Sequence, residues 1–146
     1  AVAHNNTLHK EQGPIKNYEY FFSKFCNVLI TPLNGKRNLY TFGLLPWTHL
    51  IIWPGKGILL ISYPPKKIDQ CILEIKLASS SLSAKDLEVW KNSILNFLGE
   101  DKVIVESVQK SYRENFKLGP PNRLEQRIIH WQNVYKEFLH ASGIYF

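Results

Sequence analysis

The chain has 146 residues, of which 45% are hydrophobic and 21% are charged, and its formal net charge is +6. This composition is typical of one globular domain and excludes a disordered or fibrous protein. The basic residues are scattered, and the sequence has neither an 18-residue apolar segment nor a secretory signal, so we expect no nucleic-acid partner and no membrane span.

The two cysteines, Cys26 and Cys71, stand outside any Cys-x-x-Cys unit. A disulfide framework and a cysteine-ligated zinc or iron–sulfur site are therefore not expected, and a reducing, cytoplasmic setting is the simplest interpretation. The sequence contains no methionine. We interpret residues 1–146 as a single domain that is either a processed chain or part of a larger functional unit.

The first half of the chain has the pattern of an antiparallel sheet, which we predict over residues 27–78. β-Prone residues at 27–33 end in Asn34-Gly35, a strong signal for a hairpin turn, and residues 39–45 form the returning strand. Further strands are predicted at residues 49–53, 58–63 and 68–77. The aromatic-rich segment before them, residues 18–25, is compatible with either a helix or a strand.

The hydrophobic period changes after residue 78, and we predict three helices near residues 84–98, 101–115 and 123–140. Ser83 and Asp86 have the spacing of a capping box at the start of the first helix. Gly99 is the expected end of that helix, and Asp101 is expected to begin the next one. The last helix carries an apolar stripe at Leu124, Ile128, Trp131, Tyr135 and Phe138. The sequence therefore predicts an α+β fold, with C-terminal helices packed on one face of an antiparallel sheet.

Two histidines near the start of the chain, His4 and His9, form an H-x4-H pair. Two neighbouring imidazoles are a plausible beginning of a divalent-metal site. On a regular α-helix, residues five apart point about 140° away from each other, so both would face one ion only where the helix ends or bulges. The alternative is a pair of exposed histidines with no ligand role.

Asp101 is the candidate carboxylate for the same site. It precedes an apolar helical segment, so a helix-capping role is the alternative to a metal-binding one. The other histidines, His49, His130 and His140, have positions typical of structural residues. The sequence contains no nucleophile-elbow, P-loop or dinucleotide-binding motif.

The segment at residues 100–109, EDKVIVESVQ, resembles the E-D-x4-E-x-x-Q element in the catalytic domain of Rieske-type non-haem iron oxygenases, the α subunits of ring-hydroxylating oxygenases. Other features agree with this resemblance. They are Leu45-Pro46-Trp47 at the place of an F-P-N element, the strand and double proline at 58–65, and Gly119, Glu125 and His130-Trp131 near the last helix. His4 and His9 precede Asp101 in the order that the family has.

The resemblance implies a helix-grip fold of the START/Bet v 1-like kind. It also implies an Fe(II) site in which His4, His9 and Asp101 are the metal ligands and catalytic residues. Two imidazoles and one carboxylate form the facial triad of non-haem iron oxygenases. The implied activity is O2-dependent hydroxylation of a small organic substrate, with Phe97 as a wall of the substrate pocket.

The Rieske ligands themselves are missing from the sequence. The electrons would therefore come from a [2Fe-2S] cluster on a separate Rieske domain or chain, supplied in turn by a reductase, and the family organisation implies a homo-oligomer. Two other interpretations stay open. One is a helix-grip module that encloses an apolar ligand without a metal, in which Asp101 only caps its helix. The other is a truncated oxygenase domain that folds but does not turn over substrate.

Overall fold

The computed structural model describes residues 17–34, 37–114, 119 and 125–144. These residues form a six-stranded antiparallel sheet, a separate two-stranded hairpin and two helices. The strands of the large sheet lie in the order β1-β2-β3-β4-β5-β8, and β6 pairs with β7. The strands are β1 Glu19–Phe22, β2 Cys26–Leu33, β3 Arg37–Leu44, β4 Thr48–Trp53, β5 Gly57–Ser62, β6 Pro65–Lys67, β7 Gln70–Cys71 and β8 Glu74–Ala78. The helices are α1 Ala84–Arg113 and α2 Gln126–Ala141. The prediction of an α+β fold with an antiparallel sheet followed by helices is confirmed.

One row of paired residues crosses the whole sheet and shows which face is covered. Residues directly opposite each other on neighbouring strands point to the same face. The row consists of Phe22, Asn27, Gly43, His49, Ile61 and Ile75. The buried side chains Leu39, Trp53 and Leu59 lie at alternate positions along these strands, hence on this face. The helices therefore cover this face, and the functional side chains of the sheet are to be found along this row.

Helix α1 begins at the predicted N-cap, Ser83, whose partner is Asp86 as expected. The Ser83 hydroxyl accepts a hydrogen bond from the Asp86 N–H at 3.2 Å and donates one to Asp86 Oδ2 at 2.6 Å. The first half of the helix then supplies Trp90, Ile94, Phe97 and Leu98 to the main core, where they pack with Leu39, Trp53, Leu59 and Ile61. The core therefore lies between α1 and the middle of the sheet.

The prediction that a helix ends at Gly99 is wrong, as is the start of a new helix at Asp101. Helix α1 runs unbroken through both residues for 30 residues. Gly99 is exposed, with no neighbouring atom within 4 Å of where a Cβ would stand. A glycine in a helix interior costs only about 1 kcal/mol relative to alanine, which the good helix formers on either side offset.

The sheet also differs from its predicted bounds. It begins at Glu19, because the aromatic-rich segment forms β1, and the predicted single strand at 68–77 is wrong. Pro64-Pro65 turn the chain into the small β6–β7 hairpin, in which Ile68 is fully exposed at the turn, and β8 starts only at Glu74. The predicted hairpin at Asn34-Gly35 is confirmed by the pairing of Leu33 with Arg37.

Within the described ranges, neither helix is long and apolar enough to cross a membrane.

Candidate functional site

A cavity of about 950 Å³ lies between α2 and one end of the sheet. Its wall on the helix side is the apolar stripe of α2, formed by Ile128, Trp131, Tyr135 and Phe138. The opposite wall comes from the turn between β3 and β4, residues Leu45, Pro46 and Trp47, and from His49 and Tyr63. Cavities of this size, lined mainly by aromatic and apolar groups with a few polar ones, are typical of small-molecule sites.

Two sequence features come together at this cavity. The stripe predicted on the last helix faces it, and the Leu45-Pro46-Trp47 segment forms the loop opposite. Ile128, Tyr135 and Phe138 are each at least half exposed, with relative accessibilities of 51%, 62% and 50%. An amphipathic helix normally buries its apolar stripe in a core. Here the stripe borders an open cavity, so these side chains are available to a ligand.

A chain of hydrogen bonds fixes α2 to the sheet beside the cavity. Arg127 Nε donates to Asn27 Oδ1 at 2.6 Å, Asn27 Nδ2 lies 3.3 Å from His130 Nδ1, and His130 Nε2 lies 2.8 Å from the Ser23 carbonyl oxygen. A carbonyl oxygen only accepts, so His130 Nε2 carries the proton and Nδ1 accepts from Asn27. Every bond in the chain then has a donor and an acceptor, and the Asn27 side chain is completely buried within it.

Gly43 makes room for this chain. It is paired with Asn27 on β2 and with His49 on β4. A Cβ at Gly43 would lie 2.6 Å from Asn27 Oδ1 and 3.1 Å from Arg127 Nη2. Both distances are shorter than ordinary van der Waals contacts, so only glycine allows the amide and the guanidinium to approach the strand here.

His49 is the ionisable group at the base of the cavity. Its ring lies edge-on to Trp131, with 5.4 Å between ring centroids, and edge-on to Tyr63 at 6.0 Å. Burial, followed by the positive charge of Arg127, lowers the pKa of His49 to about 4. His49 is therefore a neutral imidazole at pH 7. The positive charge of Arg127 acts on this residue, which lines the cavity.

The predicted site residues have different positions. Phe97 is buried in the main core and is not part of the cavity wall. Asp101 is half-buried on α1, and its carboxylate contributes, after burial, to raising the pKa of the Tyr63 phenol. Asp101 is therefore near a residue that lines the cavity.

His4 and His9 lie outside the described residues. Among the residues that are described, no group of three His, Cys, Asp or Glu side chains is close enough to hold a metal ion. The described part of the chain therefore does not complete an iron site by itself.

The residues that shape the site most, Asn27, His49 and Arg127, were not predicted as functional. Asn27 and Arg127 are 100 positions apart, so no local spacing in the sequence connects them. A signal did exist on α2, because Arg127 precedes Trp131 by four residues and so shares its helix face. Comparisons with protein-family models, with curated proteins and with solved structures gave no significant match to this chain.

Proposed function

We propose that this chain is a small-molecule-binding domain of the helix-grip type, in which an apolar organic molecule occupies the cavity between the sheet and α2. The observation that carries this proposal is the open, largely apolar cavity of about 950 Å³ walled by the stripe of α2. Burial of apolar ligand surface against these side chains supplies the free energy of binding, at about 25 cal/mol per Å².

A neutral fluorescent probe, N-phenyl-1-naphthylamine, tests this proposal without any contribution from charge. We expect saturable binding to the wild-type protein. The variant Ile128→Lys places an ammonium group in the apolar wall and should weaken binding about tenfold, because desolvating an unpaired charge is costly.

The matched control is Ile104→Lys, on the exposed part of α1. Ile104 and Ile128 are 50% and 51% exposed, but only Ile128 lines the cavity. The control variant should bind the probe as the wild type does. Absence of binding by the wild type, or equal binding by Ile128→Lys, would contradict the proposed function.

The second candidate function is Fe(II)- and O2-dependent hydroxylation of the molecule in this cavity. The resemblance at residues 100–109 supports it, and so does the position of Asp101 near Tyr63 at the cavity wall. In this function His4, His9 and Asp101 hold the iron, and a separate Rieske domain delivers the electrons within a homo-oligomer.

Anaerobic reconstitution with Fe(II) separates the two functions. The oxygenase function predicts about one equivalent of bound iron, because one facial triad holds one ion. Asp101→Ala should abolish this binding. Glu106→Ala should not, since Glu106 is exposed and pairs with Lys102 at 3.7 Å. A wild-type protein that binds the naphthylamine probe but no iron would contradict the oxygenase function and leave the binding function intact.

A further inference from the structure

Arg127 is a cation that no carboxylate of the described residues neutralises. Its Nε donates to the neutral side-chain amide of Asn27. Among the described residues no carboxylate pairs with it, and the ionisable groups that act on it most strongly are Tyr20 and Cys26. Burial lowers the pKa of Arg127, which reflects the cost of removing the guanidinium from water. Arg127 is half-buried, and a charge that is partly removed from water is normally compensated by a partner of opposite sign.

A hydrogen bond to Asn27 orients the guanidinium. The bond to Asn27 occupies Nε, and Nη2 lies over Gly43, where a side chain would collide with it. No described residue accepts a hydrogen bond from the terminal nitrogens, and Arg127 is one of the residues that line the cavity. A carboxylate matches such a pair of parallel N–H donors with its two oxygens.

The remaining wall of the cavity indicates what kind of ligand body would bind beside the charged group. Apart from Arg127 and the neutral amide of Gln132, the helix side is formed by Ile128, Trp131, Tyr135 and Phe138, and His49 is neutral at pH 7. Among the described lining residues Arg127 is the single cation, and one cation in a mainly apolar cavity selects a molecule with one negative charge and an apolar body. A phosphate monoester carries a charge of about −1.5 to −2 at pH 7, so one guanidinium would leave part of that charge uncompensated in the cavity.

We propose that the ligand of this cavity is an apolar monocarboxylic acid whose carboxylate is bound by the terminal nitrogens of Arg127. This inference rests on the proposed binding function and adds the chemical class of the ligand. It assigns Arg127 as the residue that sets specificity for charge, while the stripe of α2 binds the apolar body.

Three ten-carbon ligands that differ only in their head group test the inference. Decanoate, 1-decanol and decylamine are titrated at pH 7.5 against the naphthylamine complex, and their displacement of the probe is measured. We expect decanoate to bind about tenfold more tightly than 1-decanol, because hydrogen bonds between charged groups are stronger than those to a neutral hydroxyl. Decylamine should bind more weakly than 1-decanol, because its charge has the sign of Arg127.

Two variants on α2 remove one positive charge each. Arg127→Gln should abolish the preference for decanoate over 1-decanol. Lys136→Gln should retain it, because Lys136 is exposed and nine residues further along the helix, about 180° away from Arg127. If Arg127→Gln does not fold, Arg127→Lys takes its place and should reduce the preference, since an ammonium group cannot form the paired contact.

The relative affinities of the wild-type protein for decanoate and 1-decanol test the carboxylate inference without any variant. Equal affinity for decanoate and 1-decanol would overturn the carboxylate inference and leave the apolar binding function standing. Failure of all three ligands to displace a bound probe would also overturn the carboxylate inference, whereas failure of the probe to bind would overturn the binding function itself.

Discussion

Replacing Asn27 by alanine tests the hydrogen-bond chain that holds α2 against the sheet. The substitution removes the acceptor of the Arg127 Nε–H and the donor to His130 Nδ1. A hydrogen bond to a charged group contributes about 2 kcal/mol and a neutral one about 1 kcal/mol, so the free energy of unfolding should fall by about 3 kcal/mol. For a chain of this length this corresponds to a decrease in Tm of about 6–12 °C.

Urea denaturation followed by far-ultraviolet circular dichroism measures this change. The control Asn38→Ala removes a side-chain amide from β3. The Asn38 side chain points to the opposite face of the sheet, so this substitution should lower the free energy of unfolding by less than about 0.5 kcal/mol. Asn27→Leu separates hydrogen bonding from packing, because leucine fills a similar space. A leucine variant as stable as the wild type would refute the reasoning, since it would show that the polar chain contributes nothing beyond its volume.

Three further changes have defined expectations. His49 takes up a proton below pH 6.5 in the unfolded protein but only near pH 4 in the folded protein. The contribution of His49 to the free energy of unfolding is therefore complete above pH 6.5 and is lost as the pH falls to about 4. In His49→Phe the loss of unfolding free energy between pH 7 and pH 4 should be smaller by about 2 kcal/mol, and an unchanged pH dependence would argue against a buried neutral imidazole. Gly43→Ala should destabilise the protein by about 1–3 kcal/mol in chemical denaturation, because its Cβ collides with the Asn27 amide. Gly99→Ala should stabilise it by about 0.5–1 kcal/mol, and a loss of stability there would contradict the continuous helix α1.

Local patterns were sufficient for the parts of the fold that depend on local physics. The hairpin of β2 and β3 and the helix N-cap at Ser83 each depend on residues within a few positions of one another, and both were predicted. Gly99 misled the prediction because a glycine marks many helix ends but also occurs on the exposed side of a long helix. The spacing of Trp90, Ile94, Phe97 and Asp101 at three and four residues already continued the helical period through it.

The candidate site was harder to predict because it is assembled by long-range contacts. Asn27 contacts Arg127 and His130 over 100 and 103 positions, and the row that joins Asn27 to Gly43 and His49 exists only once the strands are paired. The stripe on α2 was visible in the sequence. Whether this stripe borders a cavity or a closed core depends on the distance between α2 and the sheet. Hydrophobic periodicity does not predict that distance.

A crystal structure of the protein with decanoate would show directly whether the cavity between the sheet and α2 is the ligand site. We expect the alkyl chain to lie beside Trp131 and Tyr63, with a carboxylate oxygen about 2.8 Å from a terminal nitrogen of Arg127. An empty cavity at saturating decanoate, or decanoate bound on the outer face of the sheet beside Ile52 and Ile58, would contradict it.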